Sequence, residues 1–252
     1  MSQSLLRLDD LSKSFGKVTV AQDLALSVQA GEALGIVGPN GAGKSSLFAL
    51  ISGDLRPDRG AVWLAGRDVT HVPSFARARA GIGRTYQVPR PFEHLTVFEN
   101  VLVCTHQGAA LRGKQAWSSA MEVLERTGLA ALVNTPAGRL GLLQRKRLEV
   151  ARALATRPQL LLLDEVAGGL TEPEVVELVE VVKRLHAEGL AIVWIEHVVH
   201  ALVKTVDRMV CLAGGTFVAD GAPADVLADP KVKELYLGAG PETDFAETEA
   251  AG

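Results

Sequence analysis

The sequence predicts an α/β fold in which helices cover both faces of a mostly parallel sheet. Short apolar runs typical of strands occur at residues 5–8, 18–28, 33–37, 61–64, 82–86, 160–163, 191–195 and 209–212. Helical segments separate the later runs, and this alternation is typical of parallel sheets. A chain of 252 residues with 48% apolar residues can bury a core of that size. We therefore expect one large α/β domain or a core with a smaller insertion.

The most regular predicted helix begins at Thr171 and ends before Gly189. Thr171 and Glu174 have the spacing of a capping box, in which each residue satisfies a free backbone N–H group of the other. The apolar residues that follow share one helical face: Val175, Leu178, Val179, Val182 and Leu185. This pattern predicts an amphipathic helix.

The middle and the end of the chain have different compositions from the predicted core. Residues 93–157 lack convincing strand patterns, so we expect a helical subdomain inserted between core segments 1–92 and 158–238. Residues 239–252 are acidic and almost free of large apolar side chains, which predicts a disordered tail.

Charge and hydropathy limit the partners that the chain can have. A net charge of -3 gives no general attraction to nucleic acid, so we expect no nucleic-acid partner. The longest purely apolar runs, such as 160–163, are far shorter than the roughly 20 residues that span a bilayer. A role at a membrane would therefore be that of a peripheral subunit.

The segment GPNGAGKSS, residues 38–46, has the phosphate-loop pattern G-x-x-x-x-G-K-[ST]. Backbone N–H groups of such a loop surround phosphates, and the following helix adds positive potential at its N-terminus. We expect Lys44 to reach the β- and γ-phosphates and Ser45 to bind Mg²⁺. A glycine-rich turn with a chance lysine is the alternative, but an apolar strand precedes the loop and a helical run follows it. The predicted nucleotide-binding residues here are Gly38, Pro39, Asn40, Gly41, Ala42, Gly43, Lys44, Ser45 and Ser46.

Two carboxylates follow the apolar run at 160–163. Ligands of open α/β sheets bind at the carboxyl ends of the strands, where Asp164 stands. We expect Asp164 to hold Mg²⁺ and Glu165 to orient or deprotonate the attacking water. The alternative is a strand that ends in two solvated acids.

Three further residues end or precede apolar strands. Gln87 follows the run at 82–86, and His197 follows the run at 191–195 and Glu196. An imidazole at a strand end can donate a hydrogen bond to a γ-phosphate oxygen, although a lone histidine is more often an ordinary surface or core residue. Phe15 can stack on adenine, but from its chemistry alone it would be a core residue.

These motifs, in this order, resemble the ATP-binding subunits of ABC transporters over residues 5–238. Residues 14–47 resemble the adenine-stacking aromatic residue and the Walker A loop. RTYQ resembles the Q-loop, LLLLDE the Walker B motif, and IEH the H-loop. The resemblance implies a P-loop NTPase core with a mostly parallel sheet, a small antiparallel β subdomain and an inserted helical subdomain. It implies ATP and Mg²⁺ as ligands, with catalytic roles for Glu165, His197 and Gln87 and a metal role for Gln87.

RTYQVPRPFEHLTVFENVLV and GAPADVLADPKVKELYLG are similar to the branched-chain amino acid uptake group of this family. That similarity implies an importer ATPase on the cytoplasmic face of the plasma (inner) membrane. The implied partners are a second, different ATPase chain and integral-membrane permeases, with an extracytoplasmic substrate-binding protein acting indirectly. We expect residues 88–96 to dock on the permease; a rigid loop shaped by proline is the alternative.

The segment LGLLQ stands where the family usually has Leu-Ser-Gly-Gly-Gln, a loop that contacts ATP on the opposite subunit. The resemblance therefore assigns Gly141, Leu142, Leu143 and Gln144 to nucleotide binding. Gly141 has no hydroxyl group, and the two leucines add Cβ atoms where the backbone should approach closely. We expect a weakened contact, helped by the N–H groups at the helix N-terminus and by nearby cations: Arg145, Lys146 and Arg147.

Rival functions remain open at this point. A soluble phosphotransferase would need an acceptor-binding lid, which the residues after Gln87 do not resemble. A nucleotide-gated interaction module without hydrolysis is favoured by LGLLQ and opposed by Glu165 and His197. A chromosome-type ATPase would need a long coiled-coil insertion, and a translation-type ATPase would need tandem domains; the sequence has neither.

Overall fold

A computed structural model describes residues 4–237 and contains two β-sheets with helices around them. The strands are β1 (Leu6–Phe15), β2 (Val18–Val28), β3 (Ala33–Val37), β4 (Arg59–Leu64), β5 (Arg67–Asp68), β6 (Ile82–Arg84), β7 (Leu160–Asp164), β8 (Ala191–Ile195), β9 (Arg208–Ala213) and β10 (Thr216–Gly221). The helices are α1 (Lys44–Ser52), α2 (Ser74–Ala80), α3 (Val97–Gln107), α4 (Gly113–Arg126), α5 (Leu142–Leu154), α6 (Glu172–Ala187), α7 (Val199–Val203), α8 (Pro223–Ala228) and α9 (Pro230–Leu237).

The larger sheet confirms the predicted mostly parallel architecture. Its strand order is β10-β9-β3-β8-β7-β6, and every pairing except that of β9 with β10 is parallel. Neighbouring residues of a strand point to opposite faces. Accordingly Leu161 and Leu163 enter one buried apolar cluster, while Leu160 and Leu162 enter the other. Burial on both faces explains why the central strands are apolar runs without polar alternation.

The smaller sheet is antiparallel, with strand order β2-β1-β4-β5, and confirms the small β subdomain. The apolar run at 5–8 predicted only the beginning of β1, because the rest of this strand is largely polar. The strand also has register shifts against β2 and β4. The sequence reading also missed β5 and β10, whose residues are exposed or half-buried. Such edge strands have no continuous apolar face to detect.

Helices α3, α4 and α5 lie between β6 and β7, as the absence of strand patterns suggested. A capping box begins α3: the backbone N–H of Thr96 donates to Glu99 Oε2 at 2.7 Å, and the Glu99 N–H donates back to Thr96 Oγ1 at 3.2 Å. Helix α3 packs on both α4 and α5. The subdomain bounds of 93–157 and the domain bounds of 1–238 stay predictions.

The predicted capping residue of α6 is in place. The Thr171 N–H and hydroxyl groups both donate to Glu174 Oε2, at 2.9 and 2.8 Å. The predicted tail at 239–252 lies outside the described residues. Within residues 4–237, no helix combines the length and the apolar character that crossing a bilayer requires.

Candidate nucleotide-binding site

The carboxyl ends of four parallel strands bring the predicted site residues to one edge of the large sheet. In register, Ile36 of β3 and Asp164 of β7 both pair with Ile195 of β8, and Arg84 of β6 pairs with Leu162. The phosphate loop therefore follows β3 at the same edge at which Gln87, Glu165 and His197 follow β6, β7 and β8. This is the position at which open α/β sheets bind ligands.

The phosphate loop adopts a conformation that needs glycine. Gly38 and Gly43 have φ values of 152° and 105°, and a Cβ atom on either would clash with the backbone carbonyl oxygen of Leu212 or Val20. Helix α1 begins directly after Gly43, which provides no side-chain cap. The first N–H groups of a helix have no carbonyl partner within it, so this end of α1 suits an anion.

Lys44 is buried inside the loop that it follows. Its Nζ donates to the carbonyl oxygens of Gly38 at 2.7 Å and Pro39 at 3.1 Å. Burial lowers the pKa of Lys44, although the charges of Glu165 and Asp164 act in the opposite direction. The ammonium group thus lies beside the glycine-rich backbone where phosphates are predicted.

Asp164 provides a buried carboxylate with one oxygen unused by the described residues. Oδ2 accepts a hydrogen bond from Arg84 Nη2 at 3.1 Å, whereas Oδ1 is buried without a partner. Burial raises the pKa of Asp164, and Arg84 opposes that rise. Ser45, Gln87 and Asp164 line one open groove of about 740 Å³. A hydroxyl, an amide and a carboxylate around an unpartnered oxygen fit the ligand preference of Mg²⁺.

Glu165 is held by both other predicted catalytic residues. His197 Nε2 lies 2.9 Å from Glu165 Oε1, and Gln87 Nε2 donates to Oε2. The hydrogen bond from His197 lowers the pKa of Glu165, with further contributions from Lys44 and Lys146, so the carboxylate is ionised at neutral pH. The backbone of Glu165 has a φ of 48°, a left-handed conformation that is uncommon outside glycine and is often found at functional sites.

Phe15 is not the core residue that its chemistry alone suggested. It is the last residue of β1, and its side chain is 52% exposed. It pairs with Val18 of β2, the strand whose Val20 carbonyl packs against Gly43 of the phosphate loop. Lys13 Nζ lies over this ring, 5.5 Å from its centroid, and an aromatic ring exposed on the hairpin is suited to stacking on a base.

The two leucines of LGLLQ lie in different environments. Leu143 is buried with Leu140, Val150, Ala151 and Leu154, whereas Leu142 is 43% exposed. Gly141 is the N-cap of α5 with a φ of -68°, and its N-cap position makes no side-chain hydrogen bond. Gln144 is half-buried in the first turn of the same helix. The exposed part of this loop is therefore a helix N-terminus beside one leucine.

The cations expected beside LGLLQ lie near the loop, and backbone or acidic groups already bind their side chains. Arg145 donates to the carbonyl oxygens of Leu140 and Gly138, both at 2.9 Å. Arg147 forms an ion pair with Glu177 at 2.7 Å. Long side chains of a helix can reach neighbouring segments, and the sequence does not show which acceptors lie there.

The third of these cations, Lys146, is a site residue that the sequence reading missed. It is buried, and its Nζ donates to the carbonyl oxygens of Gln87 at 2.9 Å and Glu165 at 3.0 Å. Burial lowers its pKa, against the charges of Glu196 and the other nearby carboxylates. Lys146 thus joins α5 to the backbone of two predicted catalytic residues.

Glu196 is a second missed residue. Its buried carboxylate accepts hydrogen bonds from the backbone N–H groups of Ala167 and His197 and from Trp194 Nε1. It therefore connects the segment after Glu165 to the segment that carries His197. Burial raises the pKa of Glu196 to about 7.

A carboxyl group whose pKa is higher in the folded state favours folding most at low pH. Stability should therefore fall as pH rises from the unfolded pKa of about 4.3 through the folded pKa. We expect the melting temperature of the protein to fall between about pH 5 and about pH 8 more steeply than that of Glu196→Gln. Equal slopes in parallel thermal scans would show that Glu196 does not bind this proton.

The comparison with protein families identifies the family in which this site occurs. Residues 21–168 match the family model described as ABC transporter. The chain belongs to the ABC transporter family. Residues 218–242 also match the model described as branched-chain amino acid ATP-binding cassette transporter. As an ABC transporter ATP-binding subunit, the chain is an ATPase of the kind that hydrolyses ATP to power transport and works with membrane permease components.

The chain is similar to relatives that are named for different transport systems. The chain is 35% identical to the high-affinity branched-chain amino acid transport ATP-binding protein LivG of Salmonella typhimurium, covering 94% of this chain and 99% of LivG. It is 34% identical to the lipopolysaccharide export system ATP-binding protein LptB of Acidithiobacillus ferridurans, covering 93% of this chain and 97% of LptB. Among solved structures, an ABC transporter ATP-binding cassette in its ADP conformation is 30% identical, with a TM-score of 0.86 over 94% of this chain and 99% of that one.

Proposed function

We propose that this ABC transporter ATPase hydrolyses ATP–Mg²⁺ as a peripheral subunit of an importer for branched-chain or related amino acids. The contact of Glu165 with both His197 and Gln87, beside the Lys44 loop and Asp164, carries the catalytic part of the proposal. An interaction module without hydrolysis would not need an ionised carboxylate that accepts two hydrogen bonds at this edge of the sheet.

Each residue at the edge has a role that follows from its chemistry. The loop backbone and Lys44 bind the phosphates of ATP, and the exposed ring of Phe15 stacks on the adenine. Ser45, Gln87 and Asp164 would hold Mg²⁺, which lowers the charge of the phosphates when bound. Glu165 orients the attacking water and accepts its proton, because the carboxylate is ionised. His197 Nε2 holds Glu165, and Nδ1 of the same ring can donate to the γ-phosphate when both ring nitrogens carry a proton.

The contacts of Glu165 also imply a change before hydrolysis. Gln87 and His197 each bind one of its two carboxylate oxygens, so neither oxygen is fully available to a water molecule. Displacement of Gln87 frees Oε2 while His197 keeps the side chain oriented. Because Gln87 directly precedes the predicted docking segment at 88–96, the position of the permease can control this release.

Import of amino acids is favoured over lipid export by the match at residues 218–242. The relative LivG is named for branched-chain amino acid transport, whereas LptB is named for lipopolysaccharide export. A subunit of an importer of this type would lie at the cytoplasmic face of the plasma (inner) membrane. An extracytoplasmic binding protein would then deliver the cargo to the permease.

Residues 88–96 have the exposed surface that a docking segment needs. Val88 and Phe92 are 63% and 46% exposed. Val88 lines the open groove together with the exposed rings of Phe75 and Tyr86. Two side chains of α5 hold the backbone of this segment in place. Glu149 accepts a hydrogen bond from the Arg90 N–H, and Arg152 donates one to the Arg90 carbonyl oxygen. Exposed apolar side chains on a fixed backbone are typical of a protein interface.

A complementation experiment tests both the cargo and the docking segment. A strain that lacks this gene should lose uptake of labelled leucine, and the wild-type gene should restore it. Phe92→Asp should not restore uptake, because a carboxylate would be buried at the permease contact, although the purified variant should still bind ATP. Val176→Asp is the matched control, since Val176 is similarly exposed at 50% but lies on α6.

Normal leucine uptake in the deletion strain would contradict the amino acid assignment. Full restoration by Phe92→Asp would instead remove residues 88–96 from the permease contact. Loss of function in Val176→Asp to the same degree would mean that the effect of Phe92→Asp is not specific to the segment.

A further inference from the structure

Arg84 connects Asp164, the carboxylate predicted to bind Mg²⁺, with helix α1 and with Tyr86. It ends β6, and its side chain is only 11% exposed. Besides Asp164, its guanidinium group contacts Asp54 Oδ2 at 3.1 Å and Ser52 Oγ at 2.9 Å, both near the end of α1. The same group lies over the rings of Phe48 and Tyr86, at 5.8 and 5.1 Å from their centroids.

These contacts fix the guanidinium plane. A planar donor held by two carboxylates, a hydroxyl group and two rings cannot rotate without breaking several favourable interactions at once. Arginine is suited to this role because its donors have a fixed geometry, whereas lysine offers a single rotating ammonium group. Arg84 Nη2 is therefore held at a defined position 3.1 Å from Asp164 Oδ2.

The two oxygens of Asp164 consequently differ. Oδ2 is bound to Arg84, and Oδ1 is buried without a hydrogen-bond partner among the described residues. A buried carboxylate oxygen without a partner is costly, unless a ligand binds it. Asp164 and Arg84 line the same groove as Ser45 and Gln87, the other predicted metal ligands.

We propose that Arg84 is a positioning residue for the Mg²⁺ site, which binds Asp164 Oδ2 so that Oδ1 is presented to the metal. The inference rests on the proposed ATP–Mg²⁺ site and adds a residue that acts through Asp164. Tyr86 precedes Gln87, so the contact of Arg84 with its ring also connects the metal carboxylate to the start of the docking segment. Without Arg84, the Asp164 side chain would lose its orientation.

Nucleotide binding with and without Mg²⁺ tests the proposal without relying on hydrolysis. Binding of a fluorescent ATP analogue is measured in EDTA and then across a Mg²⁺ titration. For Arg84→Gln, the Mg²⁺ concentration needed for half of the affinity increase should rise on the order of tenfold, as expected for loss of one charged hydrogen bond. Affinity in EDTA should stay at the wild-type value, because Arg84 does not contact the phosphate loop.

Two further variants and one control make the result specific. Arg84→Lys should show a smaller rise, since an ammonium group can replace one contact. Asp54→Asn, which loosens the guanidinium from the other side and leaves Arg84 in place, should shift the Mg²⁺ requirement in the same direction. Arg79→Gln removes an exposed arginine of α2 that donates to the Gln107 carbonyl, and should change nothing.

The outcomes separate this inference from the proposed function. A wild-type Mg²⁺ requirement in both Arg84→Gln and Asp54→Asn would overturn the role of Arg84 and leave the ATP–Mg²⁺ site intact. A lower Mg²⁺ requirement would also overturn it, because Arg84 would then compete with the metal for Asp164. If the wild-type protein showed no affinity increase with Mg²⁺, both the metal site and the role of Arg84 would be wrong.

Discussion

Glu165→Gln should bind ATP with wild-type affinity and release phosphate about 10²–10⁴ times more slowly, the usual contribution of a general base. The amide oxygen can still accept a hydrogen bond from His197, whereas the amide NH2 group cannot accept the one from Gln87 Nε2. The side chain therefore stays in place, but it cannot take a proton from water. Lys44→Ala should have the opposite profile. It removes the buried ammonium group of the phosphate loop and should weaken ATP binding itself.

Phosphate release and nucleotide affinity, measured on the same protein samples, distinguish these effects. Glu172→Gln is a matched control, because Glu172 also contacts a histidine, His200 at 3.3 Å, but its side chain is 66% exposed at the start of α6. This control should hydrolyse ATP at the wild-type rate. Wild-type phosphate release from Glu165→Gln would mean that another group activates the water.

The convergence of the site could be predicted because it depends on topology. Parallel strands end at one edge, so residues that follow different strands at their carboxyl ends must be neighbours. The order of strands and polar residues in the sequence therefore predicts that Asp164, Glu165, His197 and Gln87 are neighbours. The phosphate loop was equally predictable, since its glycines are required by positive φ angles and by close backbone contacts at Gly38 and Gly43.

The supporting residues could not be predicted, because their partners are distant in sequence and are often backbone groups. Lys146 binds carbonyl oxygens 59 and 19 residues away in the sequence. Every residue has a backbone carbonyl group, so the residue types do not show which one is bound. Arg84 contacts Asp164 across 80 residues. The tertiary fold alone determines such contacts, so charge patterning identified Lys146 only as a cation near LGLLQ and not as a partner of Gln87 and Glu165.

The altered LGLLQ loop leads to a prediction about assembly. In the family, this loop contacts ATP bound by the opposite subunit, and its serine hydroxyl would bind a phosphate oxygen. Gly141 lacks that hydroxyl group, and Leu142 is exposed beside it. Arg145 stays beside the loop, where it donates to the Leu140 and Gly138 carbonyl oxygens. The N-terminus of α5 also attracts phosphate, a contribution of roughly 0.3–1 kcal/mol.

Two copies of this chain should therefore form a weak ATP-bound dimer. Loss of one charged hydrogen bond costs about 1.5–3 kcal/mol per site, so two sites would lose about 3–6 kcal/mol, or on the order of 10²–10⁴ in dimerisation. We expect the purified chain to be mostly monomeric with ATP, to hydrolyse slowly, and to become faster with a different ATPase chain and the permeases. Sedimentation of Glu165→Gln at micromolar concentration with saturating ATP–Mg²⁺ measures this directly.

A gain-of-function variant makes the explanation specific to the loop. Gly141→Ser in the Glu165→Gln background restores the hydroxyl group and suits the N-cap position, where serine is favoured. The φ of Gly141 is -68°, and the atom that a new Cβ would approach is the end of the flexible Gln144 side chain, so serine should fit. We expect this double variant to dimerise more strongly than Glu165→Gln alone. A stable ATP-dependent dimer of Glu165→Gln would instead show that LGLLQ is a working variant of the family loop, because the missing hydroxyl would then not limit the contact between subunits.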